Sequence, residues 1–288
     1  MPASGAQEGD PAADCGTREQ LRHRLIDAFA AQEDVYRICL FGREAEAKHD
    51  RYSDIDMVVY SNDPARTRAS YREVFSSISP IRATFTLGGT TDTYSEMVML
   101  RGYCPYHKVD FSIGDWGLWE SGLLEVYASP NRARTPRSTL RNLKIKRNVA
   151  YVLTDVLFSV ARFTKCLFRR DIDMHRRWES ITDLTLVLLH EKHFGWERET
   201  RSKRLDGYQT KCLCEALGAE EAGRLHRIRP PHARLDLAAS YQASFELLVE
   251  LSRQKARHFR VALDDDLIAY VGGFVDDEIR RYALDARG

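Results

Sequence analysis

Three carboxylates and one glycine carry the chemistry this chain advertises. Asp54 and Asp56 open the apolar run Asp54-Ile55-Asp56-Met57-Val58-Val59-Tyr60, and a third acid, Asp110, lies in His107-Lys108-Val109-Asp110-Phe111-Ser112-Ile113. Side chains alternate faces along a strand, so Asp54 and Asp56 point one way while Ile55, Met57 and Val59 point the other. Carboxylates held side by side repel each other. A divalent cation reverses that, because Mg²⁺ takes oxygen ligands from one or two carboxylates and completes its shell with water and phosphate. An Asp-x-Asp pair alone can equally be a solvated turn. The Phe41-Gly42-Arg43 turn before it, Ser53 beside it and the acidic strand after it favour a metal site.

The elements that must position these residues read as strands interleaved with helices. Leu21, Leu25, Ile26 and Phe29 recur at helical spacing with Thr17 as a cap, and Val35 to Phe41 is a short apolar strand. After the Asp54 strand, Asn62-Asp63-Pro64 breaks the chain before a helix around Ala65 to Ser76. Strands follow at Ile81 to Leu87, Tyr94 to Leu100 and Tyr106 to Ile113, the last after a Gly102–Pro105 turn. This is an α/β (α+β) half with a mixed sheet. Beyond Pro136 the period becomes helical. Val149 to Phe163, Ile181 to Leu188, Leu205 to Leu217, Tyr241 to Ser252 and Leu267 to Tyr282 predict a C-terminal helical bundle. The expected division is a disordered tail over residues 1–16, a domain over 17–133 and a helical domain over 134–288, with the boundary between Ser129 and Arg137.

At 288 residues the chain can bury a sizeable core and form two domains. A formal net charge of +1 argues against a general nucleic-acid binder, which would carry a strong basic excess. No apolar stretch has the length of a spanning helix and no apolar signal segment follows Met1, so neither a membrane nor an export route is expected. The six cysteines lack framework spacing, which suits reduced thiols in a cytoplasm, and Cys212-x-Cys214 is too short for a Cys-x-x-Cys pattern.

Gly42-Arg43, a spacer, Ser53-Asp54-Ile55-Asp56 and Asp110 on a later strand together resemble the nucleotidyltransferase superfamily, whose motif is Gly-Ser, a spacer, then Ser-Asp-x-Asp/Glu. Within it the chain is most similar to the lincosamide nucleotidyltransferases and the related aminoglycoside nucleotidyltransferases. The spacer length and Tyr52-Ser53-Asp54-Ile55 carry that likeness, and Ala233-Arg234-Leu235-Asp236 with Tyr241, Phe245 and Leu247-Leu248-Val249 resembles their helical half.

The resemblance implies an N-terminal nucleotidyltransferase fold followed by a helical substrate-binding domain. It implies transfer of a nucleoside monophosphate, with AMP the favoured one, from ATP or another NTP to a hydroxyl of a lincosamide- or aminoglycoside-like acceptor, with release of pyrophosphate. Asp54, Asp56 and Asp110 would be the catalytic and Mg²⁺-binding residues, Asp110 completing one ion's shell or serving as base. Gly42, Arg43 and Ser53 would meet the nucleotide, with Ser53 also orienting the turn. The chain departs from the family at Arg43, where a serine is expected, and at Ala47, where a glycine is expected. Arg43 either supplies a charge-assisted phosphate contact in the serine's place or marks an altered site. A protein-AMPylating enzyme and a catalytically altered nucleotide-binding protein of the same fold are the alternatives. A homodimer fits the family.

Weaker signals are few. Arg137, Arg141 and Lys144 share a helical face and suit either pyrophosphate or solvent. His190-Glu191-Lys192-His193 falls one residue short of a zinc helix, and Arg170 with His175 is a chance-level pair. The runs Asp264-Asp265-Asp266 and Asp276-Asp277-Glu278 suit either a cationic substrate or solvated helix ends.

Overall fold

The computed structural model describes residues 18–89, 93–114, 122–130, 149–169 and 234–285. The chain divides into two compact units, Met1–Ile145 and Lys146–Gly288. In the first, helix α1 (Arg18–Ala30) precedes strands β1 (Val35–Leu40) and β2 (Ile55–Ser61), and helix α2 (Pro64–Ile78) follows them. Strands β3 (Ile81–Gly89), β4 (Tyr94–Leu100), β5 (Val109–Gly114) and β6 (Leu124–Ala128) complete a six-stranded sheet of order β3-β4-β5-β2-β1-β6. The β2–β5 pair is parallel and the other four pairs are antiparallel, so the sheet is mixed as its strand and helix pattern predicts.

One face of this sheet holds the core. Leu21, Leu25 and Phe29 form a single stripe on α1, and Thr67, Tyr71, Val74, Phe75 and Ile78 form one on α2. They cover Ile55, Met57 and Val59 of β2 and Val109, Phe111 and Ile113 of β5. Phe111 stacks on Phe29 at 5.0 Å and meets Phe75 edge-on at 5.2 Å. Each such ring, fully buried, contributes about 1.5–3 kcal/mol. Helix α2 starts where the sequence instructs it to: Asp63 accepts the Arg66 N–H at 3.0 Å, and Pro64 occupies a first-turn position whose N–H would have no partner.

Two details differ from the sequence expectation. Tyr106 and His107 are buried but belong to a 3₁₀ turn (Pro105–His107), and the strand begins only at Val109. Pro105 fixes its own φ and favours that turn, while the ladder with β2 begins at Ile55 opposite Val109. Strand β6 is additional. It is a half-exposed edge paired to β1, with Arg37 Nε donating to Glu125 at 2.6 Å.

The second unit contains helices α3 (Val149–Arg169), α4 (Arg234–Phe259) and α5 (Asp265–Asp285), mutually packed through Leu153, Val156 and Leu157, Tyr241, Phe245 and Leu248, and Val271, Phe274 and Tyr282. Helix α4 ends on Arg260 in the left-handed region (φ 54°), with the Val261 N–H returning to the Ala256 carbonyl at 2.9 Å. The acidic runs of α5 are engaged locally: Asp264 caps the Leu267 N–H at 2.9 Å, exposed Asp265 pairs with Arg253, and buried Glu278 pairs with Arg281. Among the described residues, no helix is long and apolar enough to cross a membrane. The predicted helices at 181–188 and 205–217 lie outside the described residues, as do Thr17, the tail over 1–16, Arg137, Arg141 and Lys144, Arg170 and His175, His190 to His193, and Cys212 and Cys214.

Candidate functional site

The parallel pairing of β2 with β5 sets Asp56 directly opposite Asp110, both on the face turned away from α1 and α2. Asp54, one residue before β2, joins them. One carboxylate oxygen from each of the three lies within 4.8 Å of the others, and all three residues are half-buried. Parity explains why acids survive in such apolar strands. Every second residue of β2 and β5 belongs to the helix-covered core, and the acids hold the alternate positions.

Gly42 completes this corner. Its φ is +62°, and a Cβ built there would stand 2.5 Å from Asp56 Oδ2. The Asp56 carboxylate therefore rests in the space that glycine leaves open. The Phe41 N–H donates to the Asp56 carbonyl at 3.1 Å, which locks the turn to β2. Ala47, where the family resemblance anticipates glycine, is in the left-handed region at φ 53°. An alanine thus holds a backbone conformation that favours glycine.

Ser53 is buried and engaged within its own loop. Its hydroxyl donates to Asp50 Oδ1 at 3.0 Å and accepts the Asp50 N–H at 3.0 Å. Its described contacts thus shape the turn that delivers Asp54. Arg43 points outward, with 47% of its side chain exposed and its guanidinium 4.0 Å from Asp50.

Two residues that the sequence reading passed over bear directly on the site. Arg18, at the start of α1, is buried: its Nε donates to the Ser53 carbonyl at 2.9 Å and its guanidinium to the Asp54 carbonyl at 3.0 Å. The same group pairs with buried Glu44 of the glycine loop and with Glu19 at 2.8 Å. Burial pulls its pKa below the ordinary arginine value, against the pull of the neighbouring acids. Arg18 thus ties α1, the glycine loop and the Asp54 loop into one rigid corner. Lys108 is the second. Its side chain is 2% exposed, and its ammonium sits 3.0 Å from Asp54 Oδ2 and hydrogen-bonds Asp110. The signal was available in the sequence, because Lys108 and Asp110 are two residues apart and share a face.

The donor set fits a hard divalent cation. All three groups are carboxylates, and two oxygens on one Mg²⁺ can stand at most about 4 Å apart, twice its roughly 2.1 Å bond length. The three oxygens, within 4.8 Å of one another, are grouped close to that span.

No family model matches the chain, and no curated protein does. Among solved structures, an aminoglycoside 6-adenyltransferase from Bacillus subtilis aligns over 89% of this chain and 96% of its own, at 10% identity and a TM-score of 0.35. A candidate nucleotidyltransferase from H. pylori aligns over 94% of this chain and 96% of its own, at 13% identity and a TM-score of 0.26.

Proposed function

We propose that this protein is a metal-dependent nucleotidyltransferase, moving a nucleoside monophosphate from an NTP to a hydroxyl of a small acceptor. The convergence of Asp54, Asp56 and Asp110 beside the Gly42 turn carries this reading. In such a transfer the acceptor oxygen forms a bond to the α-phosphorus as the bond from that phosphorus to the pyrophosphate oxygen breaks. The hydroxyl proton passes to a carboxylate of the site or to water, and pyrophosphate leaves.

Asp54, Asp56 and Asp110 would hold Mg²⁺, which when bound supplies positive charge to the phosphoryl oxygens. The chain's own contribution is placement. The in-register β2–β5 ladder fixes Asp56 against Asp110, and Arg18 fixes the Asp54 peptide, so the carboxylates need little reorganisation. Gly42, with no Cβ, lets the Asp56 carboxylate sit against the turn at the same corner. Arg43, exposed at the mouth of that turn, is the residue we assign to the outer phosphates. By the motif resemblance we take ATP as the donor and an antibiotic-like lincosamide or aminoglycoside as the acceptor.

The test is to incubate the protein with each triphosphate and Mg²⁺ across a panel of lincosamides and aminoglycosides. Mass spectrometry should find an acceptor heavier by one nucleoside monophosphate, with equimolar pyrophosphate. Pyrophosphate release that Asp56→Asn leaves intact would overturn the assignment of the site.

A further inference from the structure

We propose that Lys108 is a resident counter-cation of the carboxylate site, which a divalent ion must displace from Asp54 and Asp110 in order to bind. The inference rests on the reading that these carboxylates take a metal.

Three observations carry it. The Lys108 ammonium contacts two of the three carboxylates, 3.0 Å from Asp54 and hydrogen-bonded to Asp110. It is not a surface lysine reaching past the site, since its stem and head are buried and the acids it meets are only 14% and 15% exposed. Its backbone is fixed as well: the Lys108 carbonyl accepts the Ile55 N–H at 3.1 Å, next to the start of the β2–β5 ladder.

An ion bound to Asp54 and Asp110 needs the oxygens that the ammonium now holds. Two cations sharing those oxygens would repel strongly in so dry a corner. Lys108 therefore relieves the repulsion among the acids in the metal-free protein and, by the same contact, weakens free metal binding. Its four-carbon stem with a single charged head lets the ammonium swing away rather than leave the site. Once displaced, it stands ready to meet an anionic substrate. A metal arriving with a triphosphate gives the ammonium new partners, whereas a metal arriving alone does not. Metal and nucleotide loading are thereby coupled, each strengthening the other.

Mn²⁺ alone is the probe, followed by electron paramagnetic resonance on the full chain. Lys108→Met should bind Mn²⁺ roughly tenfold more tightly than wild type or better, and Lys108→Arg should stay close to wild type. The Mn²⁺-induced rise in Tm should also be larger in Lys108→Met, whose metal-free form has lost its counter-charge. A wild-type measurement guards against a poorly folded variant: with ¹⁵N-labelled lysine, Mg²⁺ should shift one ammonium resonance, the one missing from Lys108→Arg. Equal or weaker Mn²⁺ affinity in Lys108→Met, with wild type binding normally, overturns the role of Lys108 alone. Absence of Mn²⁺ binding in both, with Asp56→Asn indistinguishable from them, overturns the metal reading and this inference together. An ammonium resonance indifferent to saturating Mg²⁺ overturns the displacement.

Discussion

The sheet of the first unit holds a buried acid on one face and three half-buried acids on the other, and the two centres are built on opposite rules. Glu96 lies on β4, on the helix-covered face, and is 0% exposed. Fixed donors surround it: the Tyr71 hydroxyl, the Tyr94 hydroxyl at 2.9 Å, the Thr86 hydroxyl at 3.1 Å and the Arg72 guanidinium at 3.4 Å. Burial, then the hydrogen bond to Glu96, pushes the Tyr71 phenol well above its ordinary pKa, so it remains a donor at any working pH. On the other face, Asp54, Asp56 and Asp110 bring carboxylate oxygens within 4.8 Å of one another, and the Lys108 ammonium contacts Asp54 and Asp110. One acid with four donors is a structural knot. Three acids gathered at one corner, with a lysine head against two of them, suit a site that takes a cation from outside. Clustering of like charges, together with partial exposure, separates the candidate site from the knot here.

That contrast can be broken by mutation. Asp56→Asn should cut Mg²⁺-dependent transfer by at least about a hundredfold, as losses of transition-state charge stabilisation do. The same change should leave the metal-free protein at least as stable as wild type, since it removes one repelling charge. A clear fall in Tm for Asp56→Asn would place that acid with Glu96 and dissolve the distinction. Glu96→Ala should do the reverse. Orphaning the Tyr71, Tyr94 and Thr86 hydroxyls should cost about 2–4 kcal/mol by urea denaturation, with Mn²⁺ affinity unchanged.

Gly42→Ala probes the seam between turn and site. The left-handed backbone alone costs about 1–2 kcal/mol, and the new Cβ must also push the Asp56 carboxylate aside. Mn²⁺ affinity should therefore fall along with stability; loss of stability alone would mean that Gly42 serves the fold and not the metal. The smallest effect belongs to Ala47→Gly, which should gain up to about 1 kcal/mol in the same denaturation experiment by relieving a left-handed alanine. A loss there would show that the loop strain is repaid elsewhere.

Much of this was legible in the sequence for a physical reason. Ile55, Met57 and Val59 of β2 and Val109, Phe111 and Ile113 of β5 share one parity, so the faces of Asp56, Asp110 and these core residues could be read from it, and Asp63-Pro64 announced α2. What escaped were charges whose burial depends on distant partners. Arg18 meets Glu44, 26 residues away, and Ser53, 35 away; Glu96 meets Tyr71, 25 away. No local pattern distinguishes such groups from surface charges. Tyr106 and His107 misled differently, because apolar content reports burial and not extension, and a 3₁₀ turn can be buried too. Strand β6 went unseen since a half-exposed edge carries little of the alternation that marks a covered strand.

The pairing of Asp56 with Asp110 has a consequence beyond placement. The same register that sets acid against acid sets Ile55 against Val109 and Met57 against Phe111. A slip of one residue between these strands would turn Lys108 and Asp110 toward the helix-covered core and carry Val109 and Phe111 to the face where the acids stand. Folding therefore inspects the site automatically. A molecule whose acids are out of line is also one whose core residues face the wrong way.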